Sequence, residues 1–360
     1  MTEIENILQK TVEDNNSPSV QYILFNKDSI IKKYSHGFGD ISGNKTVSDK
    51  TTYNAFSVTK TFTALAILQL AEHKKIDIEQ PVKSYLPDFP YSTHITIRQL
   101  LSHSAGIPNP IPLNWIHPTP EHKSFDRNKF FKEIFIKNKK LRSQPNESFA
   151  YSNLGYVLLG QLIENVTESS YEQHIKENII HRLGLKIDEL GFEIIDPNLH
   201  AKGYHKKWSI TNLILGFFID KSKCMGKSEG KWRPFNNFYV NGTSYGGLIG
   251  APGAFVKYIQ ELLKTNSVLL SDNYKRMMFT ENHTTNNKAS GMCLSWFSGE
   301  LNGIKYFAHA GGGGGYYCEI RLYPEKGIGS VCFFNRTGMS DERFLDKVDK
   351  FYFDSNKQTN

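Results

Sequence analysis

A serine followed three residues later by a lysine places a hydroxyl and an amine side by side wherever the backbone is helical, because positions i and i+3 share a helix face. Such a pair can do nucleophilic chemistry. The hydroxyl attacks an acyl carbon, and the amine, once removed from water, takes its proton. The pattern occurs at Ser29–Lys32, Ser57–Lys60 and Ser228–Lys231, so pattern alone selects no nucleophile. Ser29 borders a hairpin strand, in which residues three apart point to opposite faces. Ser228 lies in polar, glycine-punctuated text. Ser57 opens a strongly helical stretch, where the helix N-terminus adds partial positive charge and N–H groups beside the hydroxyl. From these two residues alone, a plain N-cap with a solvent-facing lysine would read the same way.

A rival serine is Ser244, in Gly242-Thr243-Ser244-Tyr245-Gly246, which matches the nucleophile elbow of α/β-hydrolases. That elbow needs a helix starting at the serine, whereas Gly246 to Pro252 reads as loop and the preceding text lacks a strand–helix alternation. Gly226-Lys227-Ser228 resembles the tail of a phosphate-binding loop, but position 221, where its first glycine belongs, is Lys221. There is no His-Glu-x-x-His, and the histidines show no metal-ligand spacing, so neither a metal nor a cofactor is expected.

Other groups fit a serine nucleophile. Tyr151-Ser152-Asn153 precedes an apolar helix; a tyrosine near a lysine serves as acid or base, and an asparagine positions the lysine and a substrate carbonyl. Tyr239-Val240-Asn241 has the same spacing. His309-Ala310-Gly311 follows strand text, and glycines there allow a substrate to approach the backbone and its N–H groups.

These residues need elements to hold them. Val20–Phe25 and Ile30–Tyr34 read as a hairpin, Val58 to about His73 as an apolar helix, and Thr96–Gln99 as the capped start of a short helix. Helical text continues at Asp126–Asn138, Asn153 to about Glu164, and Tyr171–Arg182. Strands return at Ile304–Ala308, Tyr317–Tyr323 and Ile328–Phe334, separated by turns at Gly311–Gly315 and Pro324–Gly327. A final helix runs from about Asp341 to Phe353. Strands at both ends with helices between predict an α+β fold: one antiparallel sheet built from residues 1–85 and 236–360, with a mainly helical domain, 86–235, inserted into it.

Bulk properties narrow the function. With 360 residues, 39% hydrophobic and 22% charged, the chain has material for a large core. The net charge of +7 comes from dispersed lysines, and the densest basic stretch, His205-Lys206-Lys207, carries no nucleic-acid motif, so no nucleic-acid partner is expected. Cys224, Cys293, Cys318 and Cys332 have no paired spacing and read as small hydrophobes rather than a disulfide or zinc framework. The N-terminus has no apolar leader region and the apolar run Leu213–Ile219 is too short to span a bilayer, so a soluble, cytoplasmic protein is expected. Oligomeric state has no readable signal.

In their order along the chain, Ser57-Val58-Thr59-Lys60, Tyr151-Ser152-Asn153 and His309-Ala310-Gly311 resemble the three motifs of the penicillin-recognising serine enzymes. The nearest branch is that of class C β-lactamases, D,D-carboxypeptidases and related esterases. Supporting matches are Phe56, the run from Leu100 to Gly106, Ala201-Lys202-Gly203-Tyr204 and Gly246-Gly247-Leu248-Ile249. The resemblance covers about Val20 to Asn335. It implies an antiparallel sheet flanked by helices, with the site between the sheet and a helical domain. It implies acylation of Ser57, acid–base work by Lys60 and Tyr151, and orientation of Lys60 and the acyl group by Asn153. The oxyanion would be held by the N–H groups of Ser57 and Gly312, just after Gly311. His309 stands where class C β-lactamases have lysine. Its lesser, pH-dependent charge fits peptidase-like or esterase-like members acting on a small molecule or short peptide. Asn146 replaces a frequent glycine. The loop Pro108–Pro120, the 205–240 region and residues after Gly311 are expected to shape the pocket. Against a Ser57 enzyme stand two other readings, an esterase using Ser244 and a catalytically silent binding protein on the same fold.

Overall fold

The computed structural model describes residues 2–209, 220–337 and 343–357. The chain opens with helix α1 (Glu3–Glu13), then strands β1 (Ser19–Asn26), β2 (Ile30–Asp40) and short β3 (Lys45–Thr46) and β4 (Tyr53–Asn54). Helices α2 (Thr59–Glu72), α3 (Ile97–Leu101), α4 (Arg127–Lys137) and α5 (Asn153–Thr167) fill the next hundred residues. Among and after them lie the short strands β5 (Ile116–Pro118), β6 (Leu190–Gly191), β7 (Tyr204–Lys206), β8 (Trp232–Pro234), β9 (Phe238–Val240) and β10 (Ile249–Gly250). The helices Pro252–Leu263 and Asp272–Met278 lead into β11 (Phe297–Leu301), β12 (Ile304–Gly313), β13 (Tyr316–Tyr323) and β14 (Ile328–Phe334), and a helix Phe344–Lys357 follows.

The main sheet has the order β11-β12-β13-β14-β1-β2-β3, antiparallel at every pairing. Its seam joins the two ends of the chain, with β1 lying on β14 from Val20 opposite Phe334 to Asn26 opposite Ile328. Both seam strands are buried on both faces, which is why apolar residues occupy successive positions, Tyr22 to Phe25 and Val331 to Phe334, rather than alternating. This is the α+β arrangement that strands at both ends imply.

On one face of the sheet, Phe25, Val331 and Phe333 join a core that continues through Phe62, Tyr258, Leu158 and Tyr171 into the helices. Helix α2 runs through its middle, with every residue from Thr59 to Ala71 buried; a helix apolar on all sides belongs inside. On the other face, α1 and the helix Phe344–Lys357 cover Tyr22, Leu24, Cys332 and Phe334.

Several elements depart from the sequence expectation. The middle region is not free of strands, since β5 to β8 fall inside it. Each has two or three residues, too few for a period of two to register. The glycine run expected to be a turn is largely strand: Gly311, Gly312 and Gly313 continue β12, and only Gly314 and Gly315 turn the chain. Helix α1 starts at a capping box between Thr2 and Glu5. The helices Pro252–Leu263 and Asp272–Met278 and strand β11 were also not anticipated. The apolar run Leu213–Ile219, and Asp341 as the start of the final helix, lie outside the described residues. Among the described residues no helix is long and apolar enough to cross a membrane.

Beneath the outer helices sits a buried ionic cluster. Arg321, fully buried, donates to Glu319 at 2.6 Å and Asp346 at 2.5 Å, and its guanidinium lies 3.9 Å from the Tyr306 ring centre. Asp349, also buried, accepts from Tyr22 and Tyr323 at 2.9 Å and from Ser330 at 2.6 Å. Removing one member of such a cluster leaves its partner's charge uncompensated. Arg321→Leu is therefore expected to lower unfolding stability by about 3–5 kcal/mol, read from the urea midpoint. A loss under about 1 kcal/mol would show that solvent, not Arg321, neutralises Glu319.

Candidate active site

Residues 55–60 bend sharply into α2. Phe56 adopts a left-handed φ of 44°, an uncommon state for a bulky residue. The turn Phe56–Val58 then runs directly into the helix. Ser57 thus sits, half-buried, at the head of α2, one helical turn from Lys60. The lysine is fully buried, its Nζ 2.9 Å from Ser57 Oγ and 2.8 Å from the Tyr245 carbonyl. The rings of Tyr151, Tyr245 and Tyr156 surround the amine at 5.0, 5.3 and 5.7 Å. Burial pushes the Lys60 pKa well below its ordinary 10.5, since nothing anionic among these partners repays the lost hydration.

Tyr151 reaches the same oxygen from the segment ahead of α5, its hydroxyl donating to Ser57 Oγ at 2.9 Å. Asn153 is the first residue of α5, behind Ser152 as N-cap, whose Oγ accepts from Gly155 N at 3.1 Å. Asn153 makes no hydrogen bond to Lys60. Its amide N–H is held by Asn109 at 3.0 Å, and its Oδ1 is buried without a partner. The bracing of Lys60 expected from Asn153 comes instead from the Tyr245 carbonyl.

His309 is buried and lines the cleft. Its Nδ1 is 2.9 Å from the Ala310 carbonyl, so that nitrogen carries the proton and Nε2 does not. Burial pushes its pKa down to about 3. The pH-dependent charge expected from the sequence is thus absent near neutrality: His309 is a neutral residue.

Strand β11 covers β12 only from Ile304 to Ala308. From His309 to Gly313 the outer edge of β12 has no partner strand among the described residues, and this edge runs past Ser57. The approach is close enough that a Cβ on Gly311 would lie 2.1 Å from the Ala55 carbonyl oxygen and 3.0 Å from Ser57 N. Gly312, exposed, follows in the cleft wall.

The cleft holds about 850 Å³ and gathers Ser57, Tyr151, Asn153, His309, Gly311 and Gly312. Its remaining wall includes Phe149, Ser290, Gly291, Phe297 and Tyr316. Among the described residues, none from Pro108–Pro120 or from 205–240 lines it, contrary to expectation; the 290–298 segment, which carries no readable motif, does. Among the described residues no group of three potential metal ligands occurs.

The decoys lie elsewhere. Ser244 does start a helix, Thr243–Gly246, but of a single turn. The residue is buried against α5, where a Cβ on Gly160 would meet its Oγ at 2.4 Å. Asn241 pairs with His117 at 2.8 Å and Tyr239 accepts from Ile194 N at 3.2 Å. Ser29 and Ser228 are exposed, as is a further copy of the Ser-x-x-Lys pattern, Ser42–Lys45.

Compared with known protein families, residues 4–351 match the model described as Beta-lactamase. The chain belongs to the beta-lactamase family. Among curated relatives of this beta-lactamase family member, Protein flp of Staphylococcus aureus strain MW2 is 30% identical over 191 residues, 51% of this chain but only 37% of that protein. The match thus spans little more than a third of that relative. Among solved structures, the octameric penicillin-binding protein homologue from Pyrococcus abyssi superposes with a TM-score of 0.79 at 23% identity, over 98% of this chain and 77% of that one. The D-amino acid amidase from Ochrobactrum anthropi SV3, complexed with L-phenylalanine amide, gives 0.75 at 20% identity, over 98% of both chains. At such identities the structures establish the shared fold.

Two outcomes are expected. Gly311→Ala drives a methyl group into the Ala55 carbonyl and should slow labelling of Ser57 by a fluorophosphonate at least about 100-fold. A rate within about twofold of wild type would mean that β12 yields without consequence. The second concerns pH. The unfolded chain holds the Lys60 proton more tightly than the folded one, so wild-type stability rises with pH over the interval ending at 10.5, the ordinary lysine value. Lys60→Met lacks this term. The melting-temperature advantage of Lys60→Met should therefore be greatest at the acid end and shrink as pH rises; a pH-independent difference would contradict a neutral buried amine.

Proposed function

We propose that this protein is a serine hydrolase that works through an acyl-enzyme on Ser57, taking small esters or amides, short peptides included. The observation that carries the reading is the sharing of Ser57 Oγ by Lys60 Nζ and Tyr151 Oη, each at 2.9 Å, in the wall of an open cleft. A nucleophile within hydrogen-bond reach of two acid–base groups has no need of that arrangement as a helix cap.

In the first step the Ser57 oxygen bonds to the acyl carbon and its proton passes to the neutral Lys60 amine. The carbonyl electrons move onto oxygen, where the N–H groups of Ser57 and Gly312 hold the charge. Collapse breaks the bond to the leaving group, which departs with a proton supplied through the Lys60–Tyr151 pair. In the second step water adds to the acyl carbon, its proton going to the same pair. The acid is released as Ser57 recovers its proton. Asn153, with its side chain in the cleft wall, contacts the acyl group, and a neutral His309 favours acyl donors whose binding needs no cation there. In this reading residues 1–85 with 236–360 form the sheet-bearing lobe, and 86–235 the lobe that delivers Tyr151 and Asn153. The D-amino acid amidase and penicillin-binding protein neighbours share the fold and are compatible with amide and peptide substrates.

A fluorophosphonate should form one adduct, and peptide mapping should place it on Ser57. Ser57→Ala is expected to abolish labelling, and Tyr151→Phe to slow it about 10²–10⁴-fold. Undiminished labelling of Ser57→Ala, or an adduct on Ser244, overturns the reading.

A further inference from the structure

The run from Leu100 to Gly106 stands out in the sequence but contributes no atom to the steps above. In the structure it is a template for the segment that carries Tyr151. The Gly106 carbonyl accepts from Arg142 N at 2.8 Å, the Ser104 carbonyl from Asn146 N at 2.7 Å and the His103 carbonyl from Ala150 N at 2.7 Å. His103 Nδ1 then accepts from Ser152 N at 3.1 Å. The two N–H groups that flank Tyr151 are thus both held by His103, one through its backbone and one through its ring.

The same ring also packs on the tyrosine. His103 lies 4.3 Å from the Tyr151 ring centre and 4.9 Å from that of Tyr156, with Phe149 edge-on at 6.1 Å. Two features show that this placement is costly. His103 has a left-handed φ of 54°, strain of the kind that persists where surrounding structure imposes it. With Nδ1 accepting, the proton sits on Nε2, which is buried without a partner, a penalty an apolar ring would avoid. Gly106, at φ 70°, would carry a Cβ only 2.2 Å from the Ser143 carbonyl oxygen, so the template fits its segment with no space to spare.

We propose that His103 is the positioning residue for Tyr151, fixing the direction of the phenol toward Ser57 through its ring face and its Nδ1 together. The inference rests on the acid–base role assigned to Tyr151 above. His103 does not touch the substrate; it acts only through the tyrosine. The charged and titratable groups around it are Lys60, His309, Tyr151 and Tyr156. Burial holds the imidazole neutral, the state in which Nδ1 can accept.

The test is a double-variant cycle read by fluorophosphonate labelling of Ser57, separating the maximal rate from the half-saturating probe concentration. His103→Phe keeps a ring and loses the acceptor; it should lower the maximal rate about 10–100-fold, the cost of a displaced catalytic group, with half-saturation changed less than about threefold. His103→Asn keeps an acceptor and tolerates left-handed backbone, and should restore part of the rate. In a Tyr151→Phe background neither change should slow labelling by more than about twofold, because coupled residues are not additive. An equal loss in that background, or a loss confined to half-saturation, overturns the inference while leaving the Ser57 reading intact. Wild-type labelling by Tyr151→Phe alone instead overturns the role of Tyr151, and the inference with it. Should His103→Phe fail to fold, His103→Asn runs the same cycle, and ring-nitrogen NMR of the wild type supplies a second readout. A proton on Nε2 supports the inference and a proton on Nδ1 overturns it.

Discussion

The desolvation of one amine organises the centre of this molecule. Lys60 lies wholly inside, on a helix buried on all sides, and no carboxylate among its hydrogen-bond partners compensates its charge. A charged lysine there would be expensive, so the protein holds it toward the neutral form. What surrounds it follows from that state. Three tyrosine rings exclude water while offering their electron-rich faces. The Tyr245 carbonyl fixes one N–H, and Ser57 Oγ takes another. A neutral, oriented amine beside a hydroxyl is a base; a solvated lysine in the same sequence pattern is a surface charge.

Keeping that amine dry requires two parts of the chain far apart in sequence. The sheet contributes the floor, through β12 passing within van der Waals contact of residues 55–57, and the helical segment contributes Tyr151 as the opposing wall. Gly311 is needed for the first, since any side chain there would meet the Ala55 carbonyl. The template made by residues 103–106 serves the second. The β1–β14 seam makes both possible by bringing residues 19–26 and 328–334 together in the middle of one sheet. On that sheet Arg321 of β13, the neighbour of β12, pairs with Asp346 and ties the strand to the helix Phe344–Lys357.

Much of this was legible because it depends on local chemistry. Ser57, Tyr151, Asn153, His309 and Gly311, legible from residue type, order and helical or strand context, line one cleft, and Lys60 lies buried behind Ser57. The helices α2, α4 and α5 announce themselves by apolar content and length. Asn146, which stands where glycine is frequent, has a φ of 64°, a left-handed state that asparagine tolerates. What escaped notice depends on distance. Tyr245 braces Lys60 through a carbonyl, a group every residue has, so no side-chain pattern could single it out. Its segment attracted attention for Ser244, which is packed against Gly160 instead. The charge of His309 was misjudged because the protonation of an imidazole is set by burial and by the distance to Lys60, neither of which is written in His309-Ala310-Gly311.

The sequence by itself determined the cast: a serine and a lysine one helical turn apart, a tyrosine and an asparagine before a second helix, and a histidine–glycine strand end. It also determined that strands lie at both ends and helices between. These are properties of residue types at short spacing, where helix and strand geometry translate directly into neighbours. Only the tertiary structure decided which serine faces the cleft, which carbonyl holds the lysine and which residues line the walls. It alone pushed the pKa values of Lys60 and His309 down, through burial. Protonation, water exclusion and approach distance arise from atoms dozens or hundreds of residues apart, and they exist only once the two ends of the chain have closed into one sheet.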